Sequence, residues 1–244
     1  MKGVILAAAI VLLPAGSQTA PAPGTPMAQA AEARQAFAEG QSAMERGELA
    51  LAAERFGQAA RLAPNWGLAH LHRGIAAFTL DPDDASALAS LERAVALDPN
   101  NARAHMHLGV AYEHASRFDD AARELRTALA QRSDLREARA HLAAVLALTG
   151  PAAEAIALYR AVLESDPTNL AVLSALAELY EATSQPRDAE AALVAIVRLF
   201  PTVPYHRYRL AQFYERSGQP VKARQAFAEI EQLAPRARKM RQLR

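Results

Sequence analysis

The side chains best suited to chemistry in this chain are its histidines. His70 and His72 flank Leu71, His105 and His107 flank Met106, and His141 stands 34 residues beyond His107. Imidazole ligates metals, and its ordinary pKa near 6.5 makes it responsive close to neutral pH. Residues two apart on a helix point about 200° apart, so neither pair chelates an ion by itself. His72, His107 and His141 could form a ladder across three adjacent helices. Their axes would lie roughly 10 Å apart, and no acid or cysteine completes a ligand set. A metal site is therefore disfavoured. A pH-sensitive lining is the next reading, and plain polar lining residues are the simplest.

Other catalytic patterns are missing from the sequence. It has no glycine-rich phosphate loop, no H-E-x-x-H helix and no nucleophile elbow. None of the 244 residues is cysteine, which removes thiol nucleophiles, disulfides and cysteine-borne lipid anchors. The expectation is a protein that is not an enzyme, with no catalytic residue, no cofactor and no metal.

The elements that must position these histidines follow from a repeat. Ala52, Ala87, Ala121, Ala155, Ala189 and Ala223 are spaced by 35 residues once and by 34 thereafter. A second small-residue column holds Gly40, Gly74, Gly109, Ala143, Ala177 and Ala211. A large apolar column holds Phe56, Leu91, Leu125, Tyr159, Leu193 and Phe227, and a fourth holds Ala59, Ala94, Ala128, Val162, Ile196 and Ile230. Pro64, Pro99, Pro167, Pro201 and Pro235 close their units, with Ser133 where the remaining proline would stand. A recurrence of this length is the mark of stacked units that each solve the same packing problem.

Each unit divides into two helices. In the third, Leu108 and Tyr112 lie four apart on one face of the first helix. Phe118-Asp119-Asp120 then opens the second helix with acids at its N-terminus, and Ala121, Leu125, Ala128 and Leu129 form its stripe. Gly47, Gly150 and Gly218 occupy the intervening turn, where glycine tolerates a positive φ. Asp81-Pro82-Asp83-Asp84 carries the one extra residue behind the single 35. Small residues at the two contact columns let helices approach to about 8–10 Å. Alanine, 59 of 244 residues, favours helix throughout.

These columns resemble the tetratricopeptide repeat family: a small residue and often a tyrosine in the first helix (Tyr112, Tyr180, Tyr214), then the alanine, the aromatic or leucine, a small or branched residue, and proline. The early tryptophan or leucine common in the family is Ala36, His70, His105, Arg139, Leu173 and Arg207 here, and Leu146 stands where tyrosine is common. The resemblance implies an all-α, right-handed solenoid of six antiparallel helix-turn-helix repeats over 33–235, with units 33–66, 67–101, 102–135, 136–169, 170–203 and 204–237. It also implies a concave groove, lined by the first helices, that binds a peptide or partner helix. By register the groove takes Leu68, Leu71, His72, Ile75 and Phe78 from the second unit. Met106, His107, Val110 and His114 come from the third, His141 from the fourth, and Tyr205, Tyr208, Arg209 and Gln212 from the sixth. Some family members grip a terminal carboxylate with lysines and asparagines. The matching positions here are Phe37, Gln41, His72, Arg103 and His107, which disfavours such a clamp.

The ends differ in composition. Lys2, an unbroken apolar run from Val4 to Leu13 and small residues at Ala15 and Ser17 give the pattern of a signal peptide, 1–17, cleaved after Ser17. Ten apolar residues are too few for a bilayer, which needs about 20. The mature chain is therefore expected to carry no integral membrane span and to be periplasmic or secreted. Arginine outnumbers lysine 24 to 3, a bias typical of a GC-rich bacterial genome. Residues 18–32 form a proline- and alanine-rich linker. Residues 236–244 hold five basic residues and no acid, although the whole chain carries only +1. This segment is read as a capping helix, or alternatively as a tail making peripheral contact with an anionic membrane or partner. Nucleic acid is not an expected partner. The expected function is an exported, non-catalytic scaffold or adaptor in the cell envelope. The alternative is a small-ligand or metal receptor using the histidine-lined middle of the groove.

Overall fold

The computed structural model describes residues 25–242. Residues 1–17, expected to be a signal peptide, and the first part of the expected linker lie outside the described residues. Among those described, twelve α-helices pair into six hairpins and no strand occurs. The pairs are α1 (Pro26–Glu45) with α2 (Leu49–Leu62), α3 (Gly67–Leu80) with α4 (Ala85–Leu97), and α5 (Ala102–His114) with α6 (Phe118–Gln131). They continue as α7 (Arg136–Thr149) with α8 (Ala152–Ser165), α9 (Leu170–Ala182) with α10 (Pro186–Leu199), and α11 (Pro204–Arg216) with α12 (Pro220–Gln242). The hairpins stack in chain order into a solenoid of repeats.

The repeated columns are the contacts that hold each hairpin shut. All six residues of the alanine column are buried. In the first three hairpins the glycine column faces the large apolar column so closely that a methyl group would not fit. A Cβ on Gly40 would lie 2.8 Å from the Phe56 ring, one on Gly74 2.7 Å from Leu91 Cγ, and one on Gly109 2.6 Å from Leu125 Cγ. Phe56 and Leu125 are 0% exposed, and full burial of such a side chain contributes roughly 1.5–3 kcal/mol. One apolar core runs from Leu71 to Ala226 through five hairpins. The first hairpin adds two small clusters around Phe37, Phe56 and Trp66.

Five of the six turns inside hairpins carry a residue of positive φ: Gly47, Ser116, Gly150, Ser184 and Gly218. At four of these turns the next amide reaches back five residues: Glu48 to Ala43 O, Arg117 to Tyr112 O, Gln185 to Tyr180 O, and Gln219 to Tyr214 O, at 2.8–2.9 Å. This is the Schellman closure of a helix end. Ser116 and Ser184, both at φ 57°, take the left-handed role without glycine's freedom. The second hairpin, one residue longer at Asp81–Asp84, closes with Asp84 capping α4 through Ser86 N at 2.8 Å.

Two expectations are corrected. α1 begins at Pro26, so residues 26–32, assigned to a linker from composition, are helical. Thr25 caps this helix by accepting from Ala28 N, and proline at the first position suits a helix start because the missing N–H is not needed there. At the other end, Pro235 does not close its unit. α12 runs through it to Gln242, so the basic segment continues the sixth hairpin's second helix. A proline removes one intrahelical hydrogen bond, while its φ remains compatible with the helix.

Candidate functional site

The solenoid curves toward its first helices. α3 touches α5, α5 touches α7 and α7 touches α9, and among the described residues no comparable contact links the second helices of neighbouring hairpins. The inner wall is therefore built from the first helices, and its residues are set by their register along them.

In the middle of that wall lies a slot of about 180 Å³. Ile75 and Phe78 on α3 and Val110 on α5 form its sides, and Leu91 of α4, 1% exposed, lies beneath. His107 of α5 and the exposed Glu137 of α7 supply polar edges. An open hollow of about 560 Å³ follows the outer side of α10, among Ala191, Val194, Ala195 and Leu199. It runs along one helix rather than between the elements of the inner wall.

The residues expected in the groove separate into distinct environments. Ile75, Phe78, His107 and Val110 meet at the slot. Leu71 and Met106 do not line it: each is 3% exposed and belongs to the core. Their register places them at the flank of the helix, where the neighbouring hairpin covers them. Leu68 is exposed beside α3's start, and His114 is exposed with Nε2 3.1 Å from Asp83 Oδ1 and its ring edge-on to Phe78. Tyr205 and Tyr208 are exposed on α11, separated from the slot by α9. There Gln212 donates to the Tyr208 hydroxyl at 3.0 Å, and Arg209 pairs with Glu178 at 3.0 Å.

The three histidines of the ladder shift in pKa in different directions, although the charges of His72 and His141 each act on His107. His72 packs edge-on to Phe37 and against Phe56, with both ring centroids at 5.2 Å. Burial, with a smaller effect of the Arg103 charge, lowers its pKa from the ordinary value. His107 is also lowered, mainly by burial, with Glu137 opposing and Arg103 assisting. His141 moves the other way: its Nδ1 lies 2.7 Å from Glu113 Oε2, and that hydrogen bond raises its pKa. Its imidazole is thus engaged with a carboxylate across α5 and α7. Among the described residues, no group of three histidines, aspartates or glutamates is placed to hold a metal.

One functional column escaped the sequence reading. His70 Nε2 lies 3.0 Å from Pro64 O, and His105 Nε2 lies 2.9 Å from Pro99 O. Arg139 donates to Ser133 O at 2.5 Å, and Arg207 donates to Pro201 O. Each clasps a carbonyl beyond the end of the preceding hairpin's second helix, and Pro99 O also accepts from Gln131 Nε2 at 2.8 Å. Four of the residues that depart from the family's tryptophan or leucine, His70, His105, Arg139 and Arg207, thus share one role, and the constant separation of six residues from the proline column was the available signal. His105, 7% exposed, also reaches Glu124 Oε2 at 2.7 Å, tying α5 to α6. Tyr112 and Tyr214 link hairpins differently, donating to Glu92 at 2.9 Å and Glu190 at 3.0 Å. Burial first, and then the facing carboxylate, push both phenols up to about 12.

A stack of helical hairpins with an alanine at every crossing and an inner wall of first helices defines a repeat solenoid. Tetratricopeptide repeat family models match residues 149–207, and residues 81–133 and 115–169. The chain therefore belongs to the tetratricopeptide repeat proteins. No curated protein matches it in sequence. Among solved structures it is similar to PilW, described as a widely conserved type IV pilus biogenesis factor, at 17% identity and a TM-score of 0.69, covering 83% of this chain and 94% of that one. It is similar to PilF of Pseudomonas aeruginosa at 16% identity and a TM-score of 0.66, covering 85% and 94%. YrrB, described as a TPR protein with an unusual peptide-binding site, is matched at 16% identity and a TM-score of 0.64, covering 75% and 94%. At these identities the likeness concerns the fold. Among the described residues no helix is long and apolar enough to cross a membrane.

Proposed function

We propose that this protein is a non-catalytic scaffold that binds a partner polypeptide along its inner wall. The observation that carries the reading is the slot: an apolar recess open on the first-helix side, whose walls Ile75, Phe78 and Val110 are only half-buried in the folded chain. Apolar surface of this kind, rimmed by polar groups, is suited to a partner's side chain. The similarity to PilW and PilF, together with the apolar N-terminal run of the sequence, supports an exported protein of the bacterial envelope. The alternative of a metal or small-ligand receptor has less in its favour, because His72 is enclosed by aromatic rings and His141 is engaged by Glu113.

The test is site-directed photo-crosslinking in intact cells. A photoreactive residue at Val110 is expected to capture one defined protein, and Phe78→Ala is expected to weaken that capture. The same probe at Val194, on the outer hollow, is expected to capture nothing in common. Capture from Val194 with none from Val110 would refute inner-wall binding. Fractionation of cells tests the address independently.

A further inference from the structure

The carboxylates along the inner wall are not equally satisfied. Glu113 is held by His141 at 2.7 Å, Glu178 by Arg209 at 3.0 Å, and Glu181 by Arg216 at 2.5 Å. Each pair joins one first helix to the next. Glu137, on α7 between these pairs, is exposed and makes no ion pair or hydrogen bond among the described residues, yet it edges the apolar slot. The slot's volume of about 180 Å³ is close to that of a cavity of roughly 150 Å³ that accepts benzene. It therefore admits one side chain of leucine, methionine or phenylalanine size, and a charge adjacent to that side chain would meet a carboxylate.

We infer that the slot is an anchor site for a partner peptide that carries one large apolar side chain next to an arginine or lysine, the apolar group filling the recess among Ile75, Phe78 and Val110 and the cation reaching Glu137. This rests on the inner-wall binding proposed above and names the chemistry of its ligand. The two parts differ in weight. Burying the apolar group supplies most of the affinity. The exposed ion pair contributes little but sets the preference between cationic and anionic neighbours. Arg103 stands one repeat before Glu137 at the same register on α5, is exposed and has no ion pair among the described residues. It is the opposing charge that a basic partner must avoid.

The experiment titrates the full chain with blocked octapeptides of glycine and serine that carry a single Leu-Arg, Ser-Arg or Leu-Glu pair, followed by the methyl resonances of Ile75 and Val110. Leu-Arg is expected to shift both methyls. Ser-Arg should bind about tenfold or more weakly, and Leu-Glu about threefold more weakly. Glu137→Lys, a substitution at an exposed position, is expected to reverse the order of Leu-Arg and Leu-Glu, and Arg103→Gln to favour Leu-Arg further. If leucine peptides shift the methyls but Glu137→Lys leaves their order unchanged, the cationic specificity is overturned while inner-wall binding stands. If no peptide shifts either methyl, inner-wall binding falls as well. Sedimentation of the full chain supplies the last arm. Self-association abolished by Glu137→Lys would put a second copy in the slot and overturn a separate partner.

Discussion

Gly109 and Leu125 offer a test in which the sign of a mutation depends on its neighbour. An alanine at 109 would place its Cβ 2.6 Å from Leu125 Cγ, 3.0 Å from Cδ2 and 3.3 Å from Ala121 O. Helix propensity favours the substitution by about 1 kcal/mol. Overpacking a fully buried contact costs about 1–3 kcal/mol, so Gly109→Ala should lose up to about 2 kcal/mol in the native background. Leu125→Ala alone should cost about 2–5 kcal/mol, since the side chain is fully buried and leaves a void. That change deletes both leucine atoms in the clash and leaves only the 3.3 Å approach to Ala121 O. In its presence Gly109→Ala should stabilise by about 1 kcal/mol. The coupling between the sites is therefore expected at roughly 1–3 kcal/mol. Urea unfolding of the four proteins measures it, with hydrogen exchange of α5 and α6 amides as the local readout, because repeat arrays can open in parts. An equal effect of Gly109→Ala in both backgrounds would refute the claim that the glycine column exists to admit the large apolar column.

Three further outcomes are expected. The raised pKa of His141 means that its pairing with Glu113 stabilises the fold fully below the ordinary value near 6.5 and loses that contribution as pH rises through the raised value. The lowered values of His72 and His107 act oppositely, with their contribution present above 6.5 and lost as pH falls. Glu113→Gln should thus lose most stability at mildly acidic pH and converge with the parent at alkaline pH, as read from urea midpoints across pH 5–9. Ser116→Gly and Ser184→Gly, at φ 57°, should each raise stability by about 0.5–1 kcal/mol, because a left-handed residue with a Cβ costs more than glycine's entropy; an unchanged or lowered melting temperature would contradict this. His105→Ala should cost about 1–3 kcal/mol through the loss of two hydrogen bonds made in a buried site, to Pro99 O and to Glu124, although Gln131 still donates to Pro99 O and Arg123 still pairs with Glu124, whereas His70→Ala, whose clasp is exposed, should cost less; equal losses in thermal melts would contradict a role set by burial.

The fold was legible in the sequence because one packing problem is solved six times. The alanines at 52, 87, 121, 155, 189 and 223 each mark the same crossing, so their spacing announces the hairpin before any helix is assigned. The turns were half legible. Gly47, Gly150 and Gly218 signalled a positive φ, but Ser116 and Ser184 take the same conformation because the closing hydrogen bonds at the turn outweigh the intrinsic cost of a side chain there. Pro235 misled for a related reason: proline disfavours a helix interior without forbidding it. The inner wall was less legible. Register along a first helix gives a direction but not a depth, so Leu71 and Met106 shared the wall's register with Ile75 and Val110 while lying under the next hairpin. Glu137 went unnoticed because its role comes from lacking a partner, and pairing between helices 28 to 35 residues apart cannot be read from one unit.

That difference in pairing explains why recognition should concentrate in the middle of the wall. Toward the C-terminal end, Glu178 and Glu181 on α9 are both neutralised by arginines of α11, so a partner's charges would have to displace existing pairs there. Around α1 to α3, the rings of Phe37, Phe56 and Trp66 and the imidazole of His72 close on one another and leave little apolar surface to cover. Between these regions the slot combines unfilled apolar volume with a carboxylate that no hydrogen bond or ion pair engages among the described residues. A partner gains there both from burial, which scales with the apolar area removed from water, and from a charge it need not win from a neighbour. At the paired carboxylates of α9 the same charge contact would require breaking an internal ion pair, and the gain would be smaller by that pair's contribution, while the exposed Tyr205 and Tyr208 of α11 offer apolar area without a recess to enclose it.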